Sequence, residues 1–178
     1  MRKVVLYSLL SLDGVAEHPD QWLFDFDQVM DDNLAAVIGT QDAVLLGRRT
    51  YDDWAPYWPV SDIQPFADFI NSVPKYVFTA KEPDVEWAGT TVVRETAVDV
   101  VRDLKSREGG DIGLHGSIEL SRSLLAAGLV DELRLVVAPT VPAGGRHLLD
   151  GLASKWALRD VRPTPSGGVL THYALTAS

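Results

Sequence analysis

The run Gly47-Arg48-Arg49-Thr50 directly follows a short apolar stretch, Ala43 to Leu46. Glycine lets backbone approach a ligand closely, two guanidiniums can pair with phosphate oxygens, and a hydroxyl can add a further bond. A second such place is His115-Gly116-Ser117-Ile118, where the apolar run Ile112 to Leu114 ends. An apolar stripe at Ile118, Leu120, Leu124 and Leu125 follows it at helical spacing. A small-residue turn opening a helix leaves N–H groups that favour a phosphate or pyrophosphate. Each motif also has a purely structural reading. Arg48 and Arg49 can pair with Asp52, Asp53 or another surface carboxylate, and Gly116 can simply permit a sharp turn. The first motif lacks the Gly-Lys-Ser/Thr ending of a Walker loop, and no GxGxxG heads a helix.

Other chemistries find no support. His18, His115, His147 and His172 lack metal-ligand spacing, so no metal is expected, and no GxSxG elbow marks a serine hydrolase. The chain has no cysteine, which removes disulfides and thiolate zinc sites and is compatible with a cytoplasmic location. A net charge of −9 argues against non-specific nucleic-acid binding. A local arginine pair can still hold a phosphorylated ligand, because salt screens the diffuse field beyond about 8 Å.

The elements that must hold these turns can be read in order. At 178 residues the chain is expected to form one domain, 1–178, with a substantial core. No run of about 20 apolar residues suggests a membrane span. Val4 to Leu10 reads as a strand covered on both faces, not as a signal peptide. Met30, Leu34, Val37 and Ile38 make a helix ending at Gly39, and Ala43 to Leu46 a second strand. An irregular loop over residues 54–65 leads to a short helix from Phe66 to Asn71. Lys75 to Thr79 and Thr90 to Val93 are strands, and Thr96 with Asp99 caps a helix that Gly109-Gly110 stops. Leu133 to Ala138, Trp156 to Val161 and Val169 to Ala177 complete the strands, the last two as a hairpin. The alternation predicts an α/β fold: a three-layer α/β/α sandwich on a mixed, mostly parallel sheet of about eight strands. Ligands in such sheets sit beyond the carboxyl ends of the strands, at the turns after Leu10, Leu46, Thr79 and His115.

The ordered set SLDG (Ser11 to Gly14), LLGRRTYD (Leu45 to Asp52), KYVFT (Lys75 to Thr79) and GSIELSRSLLAAGLVDELRLVVAPTVPAGG (Gly116 to Gly145) resembles the dihydrofolate reductase-like superfamily. More narrowly, it is similar to the C-terminal reductase domain of the bifunctional riboflavin-biosynthesis deaminase-reductase. The resemblance implies NADPH as cofactor, reduction of a pyrimidine- or pteridine-like ring, and a homodimer. By position, Gly47, Arg48, Arg49 and Thr50 would receive the cofactor's phosphates, including the adenosine 2′-phosphate. Thr79 and Ala80 would line the adenosine, and Gly116, Ser117 and Ile118 would hold the pyrophosphate. Ser8, Leu9, Asp13, Gly14 and Ala16 would border the nicotinamide and the substrate. His115 stands where the family usually has a small residue, and its side chain would either crowd the pyrophosphate or donate to it.

Such a reductase must place nicotinamide C4 against the acceptor carbon and let a proton reach the neighbouring nitrogen. Asp27, with Asp25 as runner-up, is the candidate acid; both carboxylates would equally favour a helix N-terminus. Trp22, Phe24 and Phe26 can wall a flat ring or serve as core or dimer contacts. Pro142 to Arg146 reads as a turn, or as a contact for a substrate phosphate. Two functions follow: an NADPH-dependent reductase of a small heterocycle, or a binding protein that keeps the nucleotide cleft without turnover.

Overall fold

Apolar runs long enough to be buried on both faces become the central strands. In the computed structural model, which describes residues 1–176, these are β1 (Val4–Leu10), β2 (Gln41–Gly47), β3 (Lys75–Phe78), β4 (Thr90–Val93), β5 (Asp111–His115) and β6 (Glu132–Val137). With the hairpin β7 (Trp156–Pro163) and β8 (Val169–Leu175) they form one eight-stranded sheet, in the order β4-β3-β2-β5-β1-β6-β8-β7. The pairs from β4 through β6 are parallel, and β8 runs antiparallel to both β6 and β7. This is the expected mixed α/β sheet with a terminal antiparallel hairpin. The expected end of the last strand, Ala177, lies outside the described residues.

Helices cover both faces. Alternation along β1 sends Val5 and Tyr7 toward α1 (Gln28–Ile38), α2 (Arg48–Trp54) and α3 (Phe66–Ser72). Val4 and Leu6 face α4 (Ala97–Ser106) and α5 (Ile118–Ala126). Leu114 and Leu124 meet in the second layer at 0% exposure, so Leu114→Ala should cost about 2–5 kcal/mol. Local signals end the helices as expected at several points. Thr96 Oγ1 accepts the Asp99 N–H at 3.3 Å, and Gly128 closes α5 at φ 65°.

Two local expectations are corrected. Arg48-Arg49-Thr50 is not a turn but the first turn of α2, with Gly47 as its N-cap. The helix α4 ends at Ser106, before Gly109-Gly110. The glycine pair has a different cause: a Cβ on Gly109 would lie 2.7 Å from Asp42 Oδ2, and one on Gly110 2.6 Å from the Thr40 carbonyl. Asp42 pairs there with Arg2, so these glycines let the chain pass close to an ion pair. No helix among the described residues is long and apolar enough to cross a membrane.

Candidate active site

Parallel pairing puts the carboxyl ends of β2 and β5 side by side, so α2 and α5 start together. Gly116 and Ser117 both take left-handed backbone, φ 63° and φ 49°. For serine that conformation is strained, of order 1–3 kcal/mol, and persists only if neighbours hold it. They do: the Ser117 N–H donates to Thr50 Oγ1 at 3.0 Å, and Ser117 Oγ accepts the Gly47 N–H at 2.8 Å. The amides of Gly47 and Ser117, expected to face a phosphate, are therefore satisfied inside the protein and bolt the two turns into one ledge. The N–H groups that remain for an anion belong to the first turns of α5, beginning at Ile118, and of α2, beginning at Arg48. Gly116 is required by space as well, since a Cβ there would lie 3.2 Å from Thr50 Cγ2.

The two arginines separate. Arg48 is committed: its Nε donates to both Asp52 carboxylate oxygens at 2.7 Å, and its Nη1 to the Lys81 and Glu82 carbonyls at 3.2 Å. It clamps the 79–89 loop, as does Tyr51, whose hydroxyl donates to the Val85 carbonyl at 2.9 Å. Thr79 Oγ1 turns into the same loop and donates to the Lys81 carbonyl at 3.0 Å, with Ala80 beside it exposed. Arg49 stays open. Its side chain is 74% exposed, and a carboxylate oxygen of Glu17 lies 4.0 Å away.

The imidazole of His115 does not reach the turn it precedes. It is 2% exposed, packs among Tyr7, Phe66 and Phe69, and its Nε2 lies 2.8 Å from Gln41 Oε1. Burial pulls its pKa down to about 3, so it is neutral. Gly113 makes room for this pair, since a Cβ there would lie 2.1 Å from Gln41 Oε1. The expectation that the His115 side chain crowds a pyrophosphate or donates to it is thus corrected, because the strand alternation points it into the core.

Beyond β1 the chain forms a tight loop. Ser11 Oγ donates to Asp13 Oδ1 at 2.5 Å and accepts the Val15 N–H at 2.9 Å, which fixes Asp13 within the loop. Gly14 takes φ 88°, and its carbonyl accepts the Leu148 N–H at 3.2 Å. The Ala16 N–H donates to the Arg146 carbonyl at 2.9 Å. Ser8 and Leu9 sit deeper, at the end of the strand, with Ser8 buried. Glu17 then grips Arg146 twice, accepting from its Nε at 2.7 Å and its backbone N–H at 3.1 Å. Arg146 Nη1 reaches Glu119 Oε1 at 3.1 Å, in the first turn of α5. This seam joins the ledge to a cleft of about 450 Å³ lined by Glu17, His18, Gln21, Trp22, Phe24 and residues 140–145. Sequence reading missed Glu17 and Glu119, which stand far from Arg146 in the chain and belong to no motif.

Asp27 caps α1. Its Oδ1 accepts the Val29 and Met30 N–H groups at 3.0 and 3.1 Å. Its Oδ2 accepts the N–H and hydroxyl of Ser166, in the β7–β8 turn, at 3.0 and 2.7 Å. Desolvation raises its pKa, but the bonds from Ser166, Met30 and Thr164 outweigh that and hold it at about 2. Asp25 is exposed. Of the three aromatics, Trp22 is buried while Phe24 is 76% exposed and Phe26 36%.

The donor set fits a pyrophosphate-bearing coenzyme. The first-turn amides of α5 carry free hydrogens, Gly116 packs that turn closely on Thr50 and Trp54, and Arg49 is open to solvent. Comparison with known proteins agrees in fold and family. The family model described as the RibD C-terminal domain matches residues 2–170. YwjB, an uncharacterized protein of Bacillus subtilis (strain 168), is 31% identical over 89% of this chain and 88% of its own. A Shewanella sp. PV-4 structure superposes with a TM-score of 0.79 at 18% identity, covering 98% of this chain and 99% of its own. A Thermotoga maritima structure, named as a diaminohydroxyphosphoribosylaminopyrimidine deaminase/5-amino-6-(5-phosphoribosylamino)uracil reductase, gives a TM-score of 0.70 at 16% identity. It covers 98% of this chain, which spans 57% of that one.

Proposed function

The chain belongs to the RibD C-terminal domain family, and from that premise we propose that it is an NADPH-dependent reductase of a small pyrimidine- or pteridine-like ring. The observation that carries this reading is the ledge fused by Ser117 and Thr50, joined through Glu17, Arg146 and Glu119 to an open cleft. Bound NADPH would supply the hydride. In this reading the first turn of α5, from Ile118, holds the pyrophosphate, with Gly116 letting that turn pack on Thr50 and Trp54. Arg49, the open guanidinium, takes the 2′-phosphate, while Arg48 keeps Thr79 and Ala80 in place along the adenosine. The loop Ser11 to Ala16, held by Arg146 to Leu148, sets the floor on which the acceptor ring lies. Asp27 acts as a cap in this scheme, because an ionised carboxylate with both oxygens engaged has no proton to give. The proton reaches the ring from water through the cleft.

A binding protein on the same fold is the second reading, favoured by that commitment of Asp27. Mixing the protein with NADPH and a panel of pterins and aminopyrimidines separates the two. The reductase reading expects loss of NADPH absorbance with at least one acceptor; saturable NADPH binding with no turnover on any of them favours the binder. The outer face of the β7–β8 hairpin, where Leu158 and Val161 are each 52% exposed, is the surface proposed for a homodimer. Sedimentation that gives a monomer at micromolar concentration would remove that part.

A further inference from the structure

The cleft beside the ledge has a chemical character of its own. Phe24 and Val141, 76% and 67% exposed, flank its opening, and Trp22 and Pro142 lie in its wall. The Trp22 indole is fixed by its N–H bond to the Glu17 carbonyl at 2.8 Å. Thr140 stands in the same wall, its Oγ1 buried without a protein partner among the described residues. Apolar walls with a few polar groups suit a flat heterocycle.

The lining includes no lysine and no arginine. A phosphate monoester carries most of two negative charges near neutrality and is held by guanidinium or ammonium groups or by clustered amides. The nearest guanidinium, Arg146, is occupied by Glu17 at 2.7 Å and Glu119 at 3.1 Å. Its backbone N–H also goes to Glu17, at 3.1 Å. Arg49, 4.0 Å from the same Glu17, stands outside the lining of the cleft and is assigned to the coenzyme. The Arg146 bond lowers the Glu17 pKa and keeps it charged. Exposed Asp20 and Asp25 add negative charge to the same loop.

We propose that this cleft selects a flat, unphosphorylated heterocycle, neutral or cationic, and rejects the phosphorylated form of the same ring. The proposal rests on the reductase reading for the identity of the cleft as the acceptor site. The charge balance of its wall makes Glu17, His18 and Gln21 the specificity-determining side chains, and Phe24 the cover.

Riboflavin and FMN share one ring system and differ by a phosphate, which makes them matched probes. Calorimetric titration of each into the full chain is expected to show riboflavin at least tenfold tighter, with the gap narrowing as salt is added. Gln21→Lys is expected to raise FMN affinity, and Phe24→Ala, at an exposed site, to weaken riboflavin about fivefold. FMN binding as tightly as riboflavin, or neither flavin binding, overturns the proposal. NADPH titrated into the same samples separates the two levels: its binding with no flavin bound overturns the cleft assignment alone, and its absence removes the reductase reading too.

Discussion

Ser117 and Thr50 lie 67 residues apart in the chain and meet in one hydrogen bond, the Ser117 N–H donating to Thr50 Oγ1 at 3.0 Å. The Ser117 hydroxyl returns the link by accepting the Gly47 N–H at 2.8 Å. The turns after β2 and β5 therefore act as one unit. Ser117→Ala leaves the Gly47 N–H without its partner and should cost about 1–2 kcal/mol in urea unfolding. Ser117→Gly loses the same hydroxyl but relieves the left-handed strain at φ 49°, so its loss should be smaller. Combining either with Thr50→Val should give less than the sum, because the two sites share one network. Equal losses for Ala and Gly would show that the strain is not stored there.

The arginines should part in their effects on coenzyme. Arg49→Ala is expected to weaken NADPH about tenfold or more while leaving NADH nearly unchanged, since it removes a partner of the extra phosphate only. Arg48→Ala is expected to weaken both alike and to speed proteolysis of the 79–89 loop, whose carbonyls it holds. NADPH-selective loss in Arg48→Ala would reverse the two assignments.

Asp27 links the first helix to the last hairpin, 139 residues away, through Ser166. Its folded pKa of about 2 lies below the ordinary 3.8. Its contribution to stability is therefore complete above pH about 4 and is lost as pH falls through 2. Asp27→Asn should lower the Tm by about 2–4 °C at neutral pH and flatten acid unfolding in that window. Turnover by the folded variant should match the parent. A large fall in kcat with an unchanged Tm would restore Asp27 as the proton donor.

Much of the fold is legible because its signals are local. β1 is a continuous apolar run, α1 repeats at helical spacing, and Thr96 and Gly128 mark helix ends. The helix α2 escapes for a local reason too: RRTYDDW has no apolar stripe, and among its residues only Tyr51 is buried. The site is harder. Gly47 to Thr50 and Gly116 to Ile118 stand out by composition, yet which of their N–H groups are spent is decided by one contact across 67 residues. The pairing of Glu17 with Arg146 spans 129 residues, and that of His115 with Gln41 spans 74. No periodicity or motif encodes such contacts, because the sheet order brings them together.

Lys75 offers a test of the buried polar network away from the site. It is 0% exposed, donates to the Ile70 and Val73 carbonyls at 2.8 and 2.9 Å, and lies 4.7 Å from the Trp87 ring centroid. Burial pulls its pKa from the ordinary 10.5 down to about 8. Between those values the unfolded chain binds a proton that the folded one has released, so this group makes stability rise with pH across 8 to 10.5. Urea unfolding of Lys75→Met over the same range should lack that rise relative to the parent. Identical slopes would mean that the ammonium stays fully charged on its carbonyls and ring.

The central claim is that the first turn of α5, set in place by the ledge of Gly47, Thr50, Gly116 and Ser117 and with Arg49 open nearby, holds a phosphorylated dinucleotide. Isothermal titration of NADPH into the full chain, paired with melting in its presence, measures this directly. Saturable heat with one site per chain and a raised Tm is the expected result, with Ser117→Ala and Arg49→Ala both weakened. No heat and no stabilisation at millimolar coenzyme would contradict it.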